Sequence, residues 1–160
     1  MKTIEEVYPD QAKESEEDGY FWAPGDYNPM LQSFEYEILL QVDDSDYQGD
    51  SRLIFRNGDQ YGLLIFGWGS CSGCDALQAC DSMKEIAELR DSLHGQIKWD
   101  SLRGLHDYIA NKDWDLDYSW HADETKEFVE KAKALLGSLL ENAIGEARAD
   151  SATSPQDKTP

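Results

Sequence analysis

The sequence predicts an α+β domain in which a three-stranded antiparallel meander is followed by about three helices packed on one face of the sheet. Residues 36–42 have an apolar side chain at every second position, with Glu37 and Gln41 on the opposite face, which is typical of a half-buried strand. From residue 73 onward, apolar side chains instead recur at helical spacing. Because the strands precede the helices, the pattern favours separate α and β elements.

The first strand and a hairpin make up the predicted meander. Its first strand places four apolar side chains on one face, namely Tyr36, Ile38, Leu40 and Val42. Two further strands are predicted at residues 52–56 and 61–68. The intervening Asn57-Gly58 pair is a strong hairpin signal, because both residue types tolerate positive φ. Three consecutive antiparallel strands follow from this pattern.

Three helices are predicted in the second half of the chain. The first covers residues 73–91, and the second is capped by Asp100 or Ser101 and ends near Asn111. The third begins after a cap at Asp123 and buries one stripe of apolar side chains, which are Phe128, Ala132, Leu135, Leu136 and Leu139. Residues 19–144 therefore form the predicted domain. Residues 1–18 are expected to be an acidic mobile segment, and residues 145–160 a disordered tail.

The net charge limits the classes of partner. The chain has 33 acidic and 14 basic residues, for a formal charge of −19 at pH 7. This charge repels phosphate backbones and anionic membrane surfaces, so we expect neither direct nucleic-acid binding nor membrane binding. No apolar run reaches the roughly 18 residues that a membrane-spanning helix needs. We therefore expect a cytoplasmic protein.

Three cysteines lie within ten residues, at Cys71, Cys74 and Cys80, in the pattern C-x2-C-x5-C. If Ser72 caps the predicted helix, Cys74 lies in its first turn, where free N–H groups stabilise a thiolate. Redox chemistry is one interpretation, and a zinc site completed by His94 or His106 is another. Buried cysteines beside a glycine-rich turn are the simplest interpretation, because Cys80 falls on the apolar stripe.

The segment around these cysteines has a resemblance of its own. The run Gly69-Ser70-Cys71-Ser72-Gly73-Cys74-Asp75 resembles one found in uncharacterised bacterial and phage proteins. The resemblance brings no activity and no functional residues with it. It implies a bacterial or phage-infected cell as the setting.

Two acidic segments are the candidate partner-binding residues. Residues 113–120 alternate strictly, so that a strand would place Trp114 on one face and the aspartates on the other. The candidate set is Asp43, Asp44, Asp46, Asp50, Asp113, Asp115, Asp117 and Trp114. Regularly spaced carboxylates can occupy a basic DNA-binding groove, because DNA itself presents closely spaced negative charges. Whether both segments share a face is left open by the sequence.

The motif search favours a binding protein over an enzyme. The sequence lacks a G-x-S-x-G elbow, a P-loop, an H-E-x-x-H pair and a dinucleotide fingerprint. We therefore expect a protein without a cofactor that binds a basic protein, such as an inhibitor of a nucleic-acid-handling enzyme of the anti-restriction or anti-CRISPR kind. The alternative is a cysteine-dependent redox or zinc protein. The sequence does not indicate an oligomeric state.

Overall fold

The computed structural model describes residues 1–17, 19–117 and 119–153. These residues contain one antiparallel sheet with strands in the order β1 (Glu37–Asp43), β2 (Gly49–Asn57), β3 (Gln60–Trp68) and β4 (Lys98–Ser101). The helices are α1 (Ile4–Val7), α2 (Pro9–Glu17), α3 (Asn28–Gln32), α4 (Met83–Gly95), α5 (Leu102–Asn111) and α6 (Ala122–Thr153). The α+β class and the meander are confirmed.

The sheet differs from the prediction by one strand. Asn57 pairs with Gln60 across the predicted hairpin, which confirms the turn between β2 and β3. The extra strand, β4, pairs with the start of β3, where Trp99 lies opposite Gly62. With only four residues and no alternation, β4 gives no periodic signal in the sequence.

Helices cover both faces of the sheet, so the prediction that they pack on one face is wrong. Leu53 and Phe55 of β2 contribute to the core beneath α1, α3 and α4, which we call the first core. Ile54 contributes to the core beneath α5 and α6, which we call the second core. Strands buried on both faces have nearly continuous apolar sequences, and residues 53–55 and 63–66 fit that description. The apolar runs therefore reflect a sheet between two helical layers.

A β-bulge changes the side-chain directions predicted for β1. The register shifts between Ile38, which pairs with Phe55, and Leu40, which pairs with Ile54. Ile38 consequently packs against the first core and Leu40 against the second. The prediction of a single apolar face from Tyr36 to Val42 is wrong, because an inserted residue reverses the alternation.

The second helical layer follows the sequence prediction closely. Ser101 caps α5 by accepting a hydrogen bond from the Gly104 N–H at 3.0 Å, and the buried side chains of α5 include Leu105 and Ile109. Along α6, Phe128, Ala132 and Leu136 are fully buried, as predicted. Asp123 lies in the first turn of α6 rather than at its cap.

The predicted helix at residues 73–91 is only partly correct. Helix α4 begins at Met83, and Ser82 is its cap, with the Ser82 side chain accepting a hydrogen bond from the Glu85 N–H. Residues 69–82 form consecutive turns instead of helix. Leu77 and Cys80 are buried, so their helix-like spacing reflects burial within turns.

Both chain ends contain more regular structure than the sequence indicates. The Thr3 and Glu6 side chains form a capping box at α1, and Ile4 and Tyr8 are buried in the first core. The segment expected to be mobile therefore contributes side chains to that core, while Asp18 lies outside the described residues. Helix α6 continues through residues 145–153 of the expected tail, and residues 154–160 lie outside the described part of the chain. None of the described helices combines the length and apolar character required to cross a membrane.

Candidate functional site

A buried ion pair lies where the β1–β2 loop meets the start of α6. The Asp44 side chain has no exposed surface, and the Arg52 side chain is 4% exposed. Arg52 donates a hydrogen bond from Nη1 to Asp44 Oδ1 at 2.8 Å. The other Asp44 oxygen accepts the Asp50 N–H at 2.6 Å. The carboxylate is thus fully compensated, and it closes the loop onto β2.

The pair is connected to α6 through Thr125. Arg52 donates from Nη2 to the Thr125 hydroxyl at 2.9 Å, and that hydroxyl donates to the His121 carbonyl at 2.9 Å. The His121 ring lies between two carboxylates, with Nε2 at 3.7 Å from Asp44 Oδ2 and Nδ1 at 3.9 Å from Glu124 Oε2. The network therefore joins two segments about 80 residues apart in sequence.

Space for Asp44 depends on a glycine. A Cβ built at Gly49 would lie 2.5 Å from both the Cβ and the Oδ2 of Asp44. Contacts this short require a shift of the neighbouring atoms, so a larger residue at position 49 would displace the carboxylate from Arg52. The β1–β2 loop is therefore shaped around one buried acidic side chain.

A second link joins the same two segments at the surface. Ser45 donates from its hydroxyl to Glu124 Oε1 at 2.9 Å. The backbone N–H of Glu124 and this hydroxyl hold the pKa of the Glu124 carboxyl below its ordinary value. Glu124 lies in the first turn of α6, where the free N–H groups and the helix dipole favour the ionised carboxylate.

Three of these side chains are close enough to be considered as metal ligands. Among the described residues, Asp44, His121 and Glu124 can bring one ligand atom each within 4.8 Å of one another. However, Asp44 already accepts hydrogen bonds from Arg52 and Asp50, so a cation would compete with a buried guanidinium. We interpret the group as a polar network that fixes the loop, and we derive no metal chemistry from it.

The candidate partner-binding residues divide into exposed and buried groups. Asp43, Asp46, Asp113, Asp115 and Asp117 are exposed, and the Asp50 side chain is 48% exposed. Asp44 is buried in the ion pair, so it is not available to a partner. Trp114 packs edge-on against Phe128 and donates from Nε1 to the Ile109 carbonyl, so it belongs to the second core. The remaining six aspartates are accessible.

The second acidic segment is not a strand. Residues 113–117 have no strand assignment, and Asp115 has a φ of 49°, which breaks the alternation predicted from the sequence. The Asp113 carboxylate accepts the Asp115 N–H at 3.0 Å, as in an Asx-turn. Tyr118 lies outside the described residues. Local side-chain-to-backbone bonding therefore replaces the regular alternation.

Two exposed aromatic residues lie in these acidic segments but outside the candidate set. Tyr47 in the first acidic segment is 72% exposed, and Trp120 in the second is 98% exposed. Exposed tyrosine and tryptophan are enriched among residues that dominate protein–protein binding energy. Their only sequence signal is their position within acidic segments, since apolar alternation assigns Trp120 to the same face as Trp114.

The cysteines occupy two different environments. Cys71 and Cys74 are exposed, whereas Cys80 is buried and donates from Sγ to the Ala76 carbonyl at 3.3 Å. Burial raises the pKa of the Cys80 thiol. In the described part of the chain, the group of potential metal ligands noted above contains none of these sulfurs.

A buried carboxylate determines the shape of the cysteine loop. Asp75 is 5% exposed and accepts hydrogen bonds from the Gly69 N–H, the Gln78 N–H and the Tyr27 hydroxyl at 2.9, 2.9 and 3.2 Å. The capping role expected for Ser72 is wrong, because α4 begins only at Met83. Asp75 faces inward and closes the turn through the Gly69 and Gln78 N–H groups. Its third donor, Tyr27, comes from a distant part of the chain.

Together, the fold and these residues define a small acidic α+β protein. Hydrogen bonds and an ion pair anchor its acidic β1–β2 loop, and a second loop exposes two thiols. Comparison with protein-family models, with curated proteins and with solved structures gave no match.

Proposed function

We propose that this chain is a binding protein that engages the basic surface of a partner protein, with nucleic-acid-handling enzymes as the partner class. The supporting observation is the junction of two segments that lack lysine and arginine. Residues 43–51 and 113–125 contain nine carboxylates between them and no lysine or arginine. The Asp44–His121 approach and the Ser45–Glu124 hydrogen bond hold the first segment against residues 121–124 of the second.

The proposed acidic surface consists of the exposed side chains of these two segments. Of the nine carboxylates, Asp44 is neutralised by Arg52, which leaves eight to attract a basic partner. Such a surface presents closely spaced negative charges, as DNA does, to a partner's groove that is lined with lysine and arginine. Tyr47 and Trp120 add large exposed rings that can dominate the binding energy.

A groove beside Asp43 adds a second complementary feature. It has a volume of about 310 Å³, and its lining includes Asp26, Asp43, Tyr27 and Trp68. Among the described residues that line it, none is lysine or arginine. Carboxylates next to aromatic rings attract ammonium and guanidinium groups through charge and cation–π interactions. The groove is therefore suited to a lysine or arginine side chain of the partner.

The charge dependence of binding tests this proposal. The partner is captured from a host lysate and purified, and its affinity is measured by calorimetry for the native chain and for a neutralised variant, Asp43→Asn, Asp46→Asn, Asp113→Asn, Asp115→Asn. Asparagine suits this purpose because it tolerates the positive φ at position 115 and keeps a hydrogen-bond acceptor at position 113. We expect the neutralised variant to bind at least about tenfold more weakly than the native chain. We also expect the affinity of the native chain to fall as the salt concentration is raised.

A matched variant removes the same number of charges elsewhere on the surface. Its substitutions are Glu88→Gln, Asp91→Asn, Glu141→Gln and Glu146→Gln, all on α4 and α6. This variant should keep near-native affinity, and Tyr47→Ala or Trp120→Ala should weaken binding without changing stability. An affinity that is independent of salt, or an equal loss in both charge variants, would contradict the proposed acidic surface.

A further inference from the structure

The exposed Cys71 and Cys74 lie in a turn that brings the Cys74 sulfur against the Cys71 backbone. The Cys74 N–H donates to the Cys71 carbonyl at 3.0 Å, which closes a four-residue turn. The Cys71 N–H donates to Cys74 Sγ at 3.0 Å, and Cys74 Sγ lies 3.3 Å from the Cys71 carbonyl oxygen. Cys74 Sγ is thus folded back over the Cys71 backbone.

This turn is compatible with the Cα spacing that a disulfide requires. The ends of a four-residue turn have Cα atoms within about 7 Å of each other. Disulfide-bonded cysteines have Cα atoms separated by about 4.4–6.8 Å. The two ranges overlap, so Cys71 and Cys74 can be joined without unfolding the loop.

Two features hold the loop in this conformation. A Cβ at Gly69 would lie 2.7 Å from Cys74 Sγ and 2.5 Å from the Cys74 carbonyl oxygen, so glycine permits the close approach of the thiol. Asp75 holds the Gly69 N–H at 2.9 Å, and Gln78 donates from Nε2 to the Gly69 carbonyl at 3.1 Å. The dithiol is therefore carried by a turn that is tied to the first core.

The environment of Cys74 favours its thiolate. The Cys71 side chain is the main cause that holds the pKa of the Cys74 thiol below its ordinary value, and the backbone N–H groups of Cys71 and Ser70 act in the same direction. Thiolates, and not thiols, are the nucleophiles in disulfide exchange. Cys80 is buried with a raised pKa, so it is not a competing nucleophile.

We propose that Cys71 and Cys74 form a thiol–disulfide exchange site whose oxidant is a disulfide of the glutathione class, with Cys74 as the attacking residue. The Cys74 thiolate attacks one sulfur of the disulfide RSSR, the S–S bond breaks, and the leaving RS⁻ takes up a proton to become RSH. Cys71 then loses its proton to solvent and attacks the Cys74 sulfur, which releases a second RS⁻ that is also protonated. The balance is one RSSR reduced to two RSH and two protein thiols oxidised to one disulfide.

This site is independent of the proposed acidic surface, because the two involve different loops. The test incubates the full chain with oxidised and reduced glutathione at defined ratios, quenches with acid, alkylates the free thiols and maps them by mass spectrometry. We expect Cys71 and Cys74 to become protected together, while Cys80 is alkylated only after denaturation. A chain that forms no Cys71–Cys74 disulfide at any ratio would overturn the proposal.

Variants separate the roles of the two thiols. Cys71→Ser should trap a mixed disulfide with one glutathionyl group on Cys74, whereas Cys80→Ser should behave as the native chain. At pH 7, iodoacetamide should alkylate Cys74 at least about threefold faster in the native chain than in the urea-denatured chain, since the thiolate fraction is larger. In Cys71→Ser this advantage should shrink. Equal rates in the native and denatured chains, or glutathionylation of Cys71 alone in the native chain, would refute Cys74 as the attacking residue.

Discussion

Asp44→Ala should lower the free energy of unfolding by about 3–5 kcal/mol, because it leaves Arg52 charged, buried and without its main partner. The substitution also removes the acceptor of the Asp50 N–H. Asp50 interacts with Arg52 more weakly than Asp44 does, since its carboxylate lies 3.9 Å from the guanidinium and is half exposed. Urea unfolding followed by circular dichroism measures the loss.

Two controls identify the ion pair as the cause. Asp43→Ala removes an exposed carboxylate at the neighbouring position and should change stability by less than about 0.5 kcal/mol. Asp44→Ala combined with Arg52→Met should recover part of the loss, because the unpaired charge is gone and the methionine side chain is apolar. A loss no larger than that of Asp43→Ala would show that the pair is not a structural element. Because Asp44 is buried in this pair, it is unsuitable for charge-reversal tests of binding.

Asp75→Ala is expected to lower the free energy of unfolding by about 2–4 kcal/mol, since it leaves three donors without their acceptor. These donors are the N–H groups of Gly69 and Gln78 and the hydroxyl of Tyr27. The Tyr27 hydroxyl also accepts the Leu77 N–H at 3.1 Å, so the effect should spread to the base of the loop. Asp81→Ala, which removes an exposed carboxylate nearby, is the matched control.

Asp75→Ala should also change the reactivity of Cys74, because it loosens the cysteine loop. With Asp75 replaced, the turn that places the Cys71 N–H against Cys74 Sγ is no longer fixed, and the pKa of Cys74 should rise toward that of a free cysteine, about 8.5. The rate of Cys74 alkylation against pH reports this change directly. An unchanged pH profile together with unchanged stability would mean that Asp75 does not determine the loop.

Local signals predict much of the fold. The Asn57-Gly58 hairpin and the Ser101 cap are present in the sequence as short patterns with a direct physical cause. The patterns Thr3-x-x-Glu6 and Ser82-x-x-Glu85 are capping signals of the same kind, and they would have located the starts of α1 and α4. Acidic composition at the N-terminus obscured the first of these.

The candidate sites depend on contacts between distant residues, which one sequence does not reveal. Asp75 bonds to Tyr27, 48 positions away, and Arg52 bonds to Thr125, 73 positions away. Asp44 therefore resembled its exposed neighbours in the sequence, although it is the buried member of the set. The cysteine loop likewise gave a helical period because its apolar residues point into a core formed by other segments.

The anchoring of the β1–β2 loop bears on how tightly a partner could be held. Asp44, Ser45 and Asp50 tie this loop to β2 and α6, so several backbone positions are already ordered before any encounter. Ordering a loop on association costs conformational entropy, which subtracts from affinity. A preorganised loop avoids much of that cost, and its carboxylates would meet an incoming cationic surface in fixed positions.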